Sequence, residues 1–313
     1  MAGAATIRQQ PRRAAAPKIR PRQRFRRILF ATDFSPACDS AFEYAAMLSK
    51  HFGARLYLLH ILAPYYSAVG GGVITPALQR VETRYAEERL AAYLRRMPEL
   101  DSIKSKPLVS CGKTRESIVE AVRSLQIDLL VMGSHGRGGI RKLVLGSVAE
   151  AILRNMPCPT LICGPECRRL FHPLKSIVLV PAAESEIAEP CGYAQLLAKS
   201  FQGKITALHV VPNAQPSAQP DLLSGRLPLA LRRPPQPKQL DNLDPKFHHI
   251  IRYGNPAVET LKAAARSKAN LIVMDIQPAT WMADHDPSTF LSRIVTSATC
   301  PLLVVPGHPW GSS

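Results

Sequence analysis

Long apolar runs and a disulfide framework are both missing from this chain of 313 residues. No apolar stretch approaches the roughly 20 residues that a membrane-spanning helix needs, so we expect no membrane partner. The N-terminus also lacks the apolar segment of a secretory signal. The seven cysteines are odd in number and lack paired spacing, which favours a reducing compartment, and we expect a cytoplasmic protein.

Acidic residues are missing from the first 27 positions, which hold nine Lys and Arg and supply more than half of the net charge of +17. We expect residues 1–25 to form a disordered basic tail. The composition fits an arm for nucleic acid or an anionic membrane, an organelle transit peptide, or a plain solvated extension. No basic surface interleaved with aromatic residues supports sequence reading, so nucleic acid is not the favoured partner.

Metal-binding patterns are also absent. The cluster of Cys158, Cys163, Cys167 and His172 lacks the spacing of two residues that paired zinc ligands usually have. Cys158 and Cys163 flank an apolar run, where a buried thiol is ordinary packing. We therefore expect no metal site built from protein side chains.

The most informative segment that is present runs from Gly133 to Ser147, here called the glycine loop. It follows an apolar run, Leu129–Met132, and precedes an amphipathic pattern that starts at Val148. A strand, a glycine-rich basic loop and a helix start, in that order, are typical of a phosphate site. Glycines allow close approach and positive φ, and the first N–H groups of the helix attract anions. Ser147 and Glu150 fit a capping box with Ser147 as the N-cap.

This loop resembles the nucleotide loop of the ATP-binding branch of the universal stress protein family. The family pattern is Gly, two residues, Gly, nine residues, Gly, then Ser or Thr. Upstream, Arg27–Pro36 resembles the family's first strand and acidic turn, and Leu56–Ile61 resembles its second strand. Pro157–Ile162 resembles its last strand. Four segments in the family's order and spacing carry the resemblance.

The resemblance implies an ATP site, with magnesium bridging the phosphates. Asp33 would lie by the adenosine, although a turn carboxylate beside Ser35 is the alternative. Ile61 would contact adenine through its backbone, or would simply be strand core. The predicted nucleotide-binding residues are Ala31, Thr32, Asp33, Ile61, Met132, Gly133, Gly136, Arg137, Gly146, Ser147 and Val148.

Catalytic residues are harder to find in this pattern. His135 could touch phosphate or transfer a proton, but a loop histidine is more often a structural hydrogen-bonding group. Arg137, Arg141 and Lys142 would add positive potential for phosphates or be solvated surface charge. We predict no catalytic residue, and turnover that is slow or absent.

The chain is a duplication. Residues 28–61 match 177–210 at an offset of 149, and Cys158-Pro159 matches Cys300-Pro301 at an offset of 142. We therefore expect a first copy over 26–165 and a second copy over 174–307, the latter interrupted by a proline-rich insertion at 212–245.

Strand-like and helical patterns alternate within each copy, which predicts a parallel sheet with helices on both faces. The family resemblance implies an α/β fold with two tandem Rossmann-like domains of the adenine nucleotide alpha hydrolase type. Each domain would carry a sheet of five parallel strands with helices on both faces. In the first copy we expect strands near 28–32, 55–61, 107–110, 128–132 and 159–163, and helices over roughly 37–51, 78–97, 115–125 and 147–156. Ligands bind such sheets at the carboxyl ends of the strands.

The second copy keeps the spacing of the glycine loop and loses its chemistry. Asp33 becomes Ala182, Gly133 becomes Asp275, and Gly136 becomes Pro278. Gly146 becomes Ser288, while Ser147 keeps its hydroxyl as Thr289. Asp284 and Asp286 add further negative charge, so we predict that the second copy binds no triphosphate.

The resemblance implies a structural role for the second copy, because domains of the family usually dimerise, often with their final strands paired. Pro159–Cys163 and Pro301–Val305 are the candidate edges for an intramolecular pairing, and a homodimer is the alternative. Functionally, we expect a nucleotide-dependent stress-response regulator. The alternatives are a slow ATPase on the same fold and a nucleic-acid-associated protein that uses the basic tail.

Overall fold

The computed structural model describes residues 24–62, 76–97, 103–135, 145–169, 173–181, 188–211, 247–276 and 287–306. The strands in these residues are β1 (Arg27–Ala31), β2 (Arg55–Leu62), β3 (Ser105–Cys111), β4 (Leu129–Gly133), β5 (Thr160–Cys163), β6 (Ser176–Val180), β7 (Lys204–Val211), β8 (Phe247–Tyr253), β9 (Leu271–Ile276) and β10 (Leu302–Pro306). The helices are α1 (Ala37–Phe52), α2 (Pro76–Arg95), α3 (Thr114–Ser124), α4 (Ser147–Arg154), α5 (Ala188–Phe201), α6 (Pro256–Arg266) and α7 (Pro287–Ser297).

All these strands join one sheet, in the order β3-β2-β1-β4-β5-β10-β9-β6-β7-β8. The pairs within each half are parallel, and β1 has β2 on one side and β4 on the other. The chain therefore reverses its winding direction between β1 and β4. This topological switch point is where open α/β sheets bind ligands.

The two copies meet through their last strands, as the pairing hypothesis expects. β5 and β10 are antiparallel, with Leu161 opposite Leu303. Both side chains are 1% exposed. Because each strand covers the other's edge, neither leaves an apolar edge open to another chain.

The helices cover the sheet in two layers, and each layer spans both copies. One core cluster includes Phe42 of α1, Leu90 of α2 and Tyr193 of α5. The cluster on the other face includes Ile152 of α4 and Ile294 of α7. The copies thus share both cores and behave as one packed α/β unit.

Every predicted helix and strand of the first copy is found, and each boundary lies within two residues of the prediction. The helical pattern reaches residue 156 in the sequence, but α4 ends at Arg154 because Asn155 leaves helical geometry with ψ of 62°. Residues 1–23 of the predicted tail and the insertion at 212–245 lie outside the described residues. No helix in the described part of the chain is long and apolar enough to cross a membrane.

Candidate functional site

The candidate site begins where β1 and β4 end side by side. Ala31, the last residue of β1, is opposite Met132 in β4. Beyond β1, the Thr32 N–H donates to the Leu59 carbonyl of β2 at 2.9 Å, and the Thr32 carbonyl lies 2.7 Å from Nδ1 of His60. The ends of β1, β2 and β4 are therefore held at one edge of the sheet.

Asp33 lies in a tight turn after β1. Its Oδ1 accepts from the Ser35 N–H at 3.0 Å and from the Cys38 thiol at 3.3 Å. Asp33 therefore acts as a turn carboxylate beside Ser35, which was the alternative to its predicted place by the adenosine. Burial, followed by the negative charge of Asp33, raises the pKa of Cys38, so the thiol stays protonated and can donate. These contacts fix the Asp33 carboxylate at the end of the strand.

The glycine loop starts from a fully packed position. Ser134 is 1% exposed, and its N–H donates to the Cys163 carbonyl of β5 at 2.9 Å. The Ser134 carbonyl accepts from the Gly146 N–H at 2.8 Å. This bond closes the loop, because it places the start of α4 directly against the end of β4.

Lack of room for a side chain, rather than a positive φ, explains why glycine occupies position 146. A Cβ at Gly146 would lie 2.7 Å from the Ser134 oxygen, closer than real Cβ atoms approach. Its φ of −64° and ψ of 145° suit any residue. A Cβ at Gly133 would lie 3.3 Å from the Ala37 backbone and from the Cys38 sulfur. Glycine is required at 146 and favoured at 133 by close packing of neighbours.

The predicted capping box is wrong. Gly146 is the N-cap of α4, Ser147 is the first helical residue, and no side chain caps the helix among the described residues. The Glu150 carboxylate bonds Arg154 at 2.7 Å instead of the N-cap. A Ser side chain cannot occupy the N-cap because the Ser134 carbonyl fills that space. The first N–H groups of α4 therefore receive no capping hydrogen bond from a described side chain, and they lie at the positive end of the helix dipole.

His135 acts as a hydrogen-bonding group in the geometry. Its Nδ1 lies 2.6 Å from the Ser134 hydroxyl, and its carbonyl accepts from the Ser35 hydroxyl at 3.3 Å. Nε2 is buried without a partner in the part of the chain that the structure describes. The Ser35 bond links the turn after β1 to the loop after β4, so the two halves of the site are connected.

The remaining predicted site residues either lie near the same strand ends or fall outside the residues that the structure describes. Ile61 is half-buried near the end of β2 and packs on the α4 side of the sheet. Ser147 and Val148 begin α4. Gly136 and Arg137, like Arg141 and Lys142, lie outside the described residues. The role of each predicted residue stays a prediction.

Arg89 and Phe34 extend the site in a way that sequence reasoning missed. The Arg89 guanidinium of α2 lies 4.2 Å from the centroid of the Phe34 ring and donates to the Phe34 carbonyl at 3.4 Å. Phe34 has a φ of 63°, which is unusual for a bulky residue and follows from the turn at Asp33. The available signal was the helical spacing of Arg89, which follows Ala86 by three residues and precedes Tyr93 by four, both of them buried on the inward face of α2.

The second copy departs from this geometry at the equivalent points. Asp275, in the place of Gly133, is 5% exposed and lies opposite Val305 of β10. α7 begins at Pro287, whereas the counterpart of Ser147 is Thr289, so the helix starts two residues earlier than α4. Ala182, Pro278, Asp284 and Asp286 lie outside the described residues.

The described residues also contain an open depression of about 710 Å³ along α3. It is lined by side chains of that helix alone and by none of the predicted site residues. No group of three His, Cys, Asp or Glu in the described ranges could hold a metal ion. The switch point between β1 and β4 therefore remains the candidate site.

Comparison with known proteins identifies the family. The model of the universal stress protein family matches the chain twice, over residues 24–164 and 176–306. The chain belongs to the universal stress protein family. It is a tandem member, with two matches in one polypeptide.

Individual relatives agree with this assignment. A universal stress protein of Thermus aquaticus is 32% identical over 139 residues, which cover 44% of this chain and 98% of that protein. One from Methanocaldococcus jannaschii is 28% identical over 142 residues, covering 44% of this chain and 81% of that protein. A solved universal stress protein from Archaeoglobus fulgidus covers 91% of this chain and 98% of its own, with a TM-score of 0.67 at 18% identity, and so shares the fold.

Proposed function

We propose that this universal stress protein binds ATP in its first copy and acts as a nucleotide-dependent regulator of a cytoplasmic stress response. The observation that carries the proposal is the bond from the Gly146 N–H to the Ser134 carbonyl, at 2.8 Å. It places the uncapped start of α4 at the switch point between β1 and β4.

Electrostatics support a phosphate at the start of α4. The first N–H groups of a helix have no partner within the helix, and the helix dipole adds roughly half a positive charge there. With Gly146 as N-cap, no side chain among the described residues forms a capping hydrogen bond to these groups. The Asp33 turn at the neighbouring strand end supplies a fixed acceptor for a ribose hydroxyl.

The ligand preferences of magnesium are compatible with a nucleotide bound at this site. Mg²⁺ usually takes one or two protein oxygens, with phosphates and water supplying the rest. We expect magnesium to arrive with the triphosphate. Residues 133–135 and 145–148 would hold the phosphates, and these residues would position and shield rather than transfer protons.

The second copy would not bind ATP. The buried carboxylate of Asp275 would repel phosphate where the first copy presents Gly133. The earlier start of α7 also moves the helix N-terminus away from the position that Gly146 occupies in the first copy. Binding of one nucleotide per chain is the consequence.

The test is calorimetric titration of ATP with Mg²⁺ into the purified full chain, beside Gly146→Asp and Asp33→Ala. We expect one site, abolished by Gly146→Asp because the added Cβ would clash with the Ser134 oxygen and the carboxylate would repel phosphate. Asp33→Ala should weaken binding at least tenfold. AMP and cAMP titrations separate ATP from other adenine nucleotides. Absence of heat together with absence of a melting shift would contradict the proposal, and ADP formed at enzymatic rates would favour the ATPase alternative.

A further inference from the structure

The second copy touches the glycine loop of the first copy. The Leu145 N–H, directly before the N-cap Gly146, donates to the hydroxyl of Ser292 in α7 at 3.3 Å. The Leu145 side chain is 6% exposed and belongs to the core shared by α4 and α7. The end of the loop is therefore anchored on both its backbone and its side chain.

Two further contacts come from the same region of the second copy. A Cβ at Gly164, just beyond β5, would collide with the Val295 carbonyl, so only glycine allows this approach. The Arg168 N–H donates to the Thr299 carbonyl at 3.0 Å. Because residues 292 and 295 are one turn apart, they share one face of α7, and that face lies against the first copy.

The residue of the first copy that corresponds to Ser292 makes a different contact. At the offset of 142, Glu150 in α4 occupies the position of Ser292 in α7. The Glu150 carboxylate forms an ion pair with Arg154 of its own helix at 2.7 Å. The short, uncharged Ser292 side chain, in contrast, reaches across to a backbone N–H of the other copy. The pseudo-symmetry is broken at the residue that touches the glycine loop.

We propose that Ser292 is a positioning residue for the nucleotide site of the first copy, and that the second copy serves this site by fixing where α4 begins. This inference rests on the proposed function. Ser292 acts through Leu145: its hydroxyl fixes the Leu145 backbone, and Leu145 fixes the adjacent Gly146, whose N–H is bonded to Ser134. Phosphate binding depends on this placement because the N–H groups at the helix start must all point at one anion.

The experiment compares the full chain with Ser292→Ala, Ser292→Thr and Ser297→Ala. Ser297 is exposed on the same helix, so its variant is the matched control. Loss of one ordinary hydrogen bond corresponds to about a fivefold change. We expect Ser292→Ala to weaken ATP binding about fivefold while leaving adenosine binding unchanged, and we expect Ser292→Thr and Ser297→Ala to bind ATP as the unaltered chain does.

A second readout needs no nucleotide. Amide hydrogen exchange of Leu145, followed by NMR in the nucleotide-free chain, should quicken about fivefold in Ser292→Ala and stay unchanged in Ser297→Ala. Unchanged exchange, or faster exchange with unchanged ATP affinity, would overturn the positioning role. If the unaltered chain failed to bind ATP, the proposed function would fail, and the positioning role for nucleotide would fail with it. The exchange result would still report separately whether Ser292 holds the loop.

Discussion

Replacing Gly146 with Ala tests the close packing that shapes the site. The added Cβ would lie 2.7 Å from the Ser134 oxygen, whereas ordinary contact begins at 3.4 Å, so the two groups must separate by about 0.7 Å. The bond from the Gly146 N–H to Ser134, now 2.8 Å, would then reach the limit of hydrogen bonding. The backbone conformation itself suits Ala, so the clash is the cause of any effect.

The magnitude follows from three contributions. Overpacking costs about 1–3 kcal/mol, the lost hydrogen bond costs about 1 kcal/mol, and the smaller entropy of the unfolded chain returns about 0.4–1 kcal/mol. We expect a net loss of about 1–4 kcal/mol in the free energy of unfolding. We also expect ATP binding at least tenfold weaker, because the start of α4 moves away from the end of β4.

A matched control separates stability from function. Gly203, in the turn between α5 and β7, has the same constraint, since its Cβ would lie 2.7 Å from the Leu174 oxygen. Gly203→Ala should cost similar stability in urea unfolding and leave the calorimetric ATP affinity unchanged. The reasoning would be refuted if Gly146→Ala bound ATP normally, or if both variants lost affinity equally.

Three further predictions concern the frame around the site. Arg89→Ala should lower the free energy of unfolding by about 1 kcal/mol, since it loses the contact with Phe34, and an unchanged urea midpoint would count against that contact. Leu303→Ala at the junction of the copies should cost about 2–5 kcal/mol, and a loss below 1 kcal/mol would mean that the junction contributes little. Burial raises the pKa of Cys191 from 9.0 to about 11, so its contribution to stability is full below pH 9 and lost as the pH rises towards 11. Urea unfolding across this range should show a smaller alkaline loss in Cys191→Ala, and an equal loss in both proteins would contradict the assignment.

The α/β architecture could be predicted because its signals are local. Apolar runs and helical periodicity locate the strands and helices of the first copy, and the repeat at constant offset predicts the duplication. The pairing of β5 with β10 was also accessible, because each copy ends in an apolar strand that needs a partner.

The errors and omissions have long-range causes. Ser147 has the right chemistry for an N-cap, but the Ser134 carbonyl, thirteen residues earlier, leaves room only for Gly146 at that place. The contact between Ser292 and Leu145 spans 147 positions and two copies, so no periodicity reveals it. Arg89 and Phe34 meet only after α2 has packed on the sheet. Sequence patterns indicate elements, whereas such contacts are determined by packing.

The most direct test of the central claim is an ATP titration followed by amide NMR on the full chain in the presence of Mg²⁺. The account predicts saturation at one nucleotide per chain, with the largest shifts at Thr32 and Asp33, at Ser134, and at Gly146 to Ala149. The counterpart of Gly133 in the second copy, Asp275, should keep its resonance. Saturation with shifts centred on the end of β9, or no shifts at the end of β1 and the start of α4, would contradict the account.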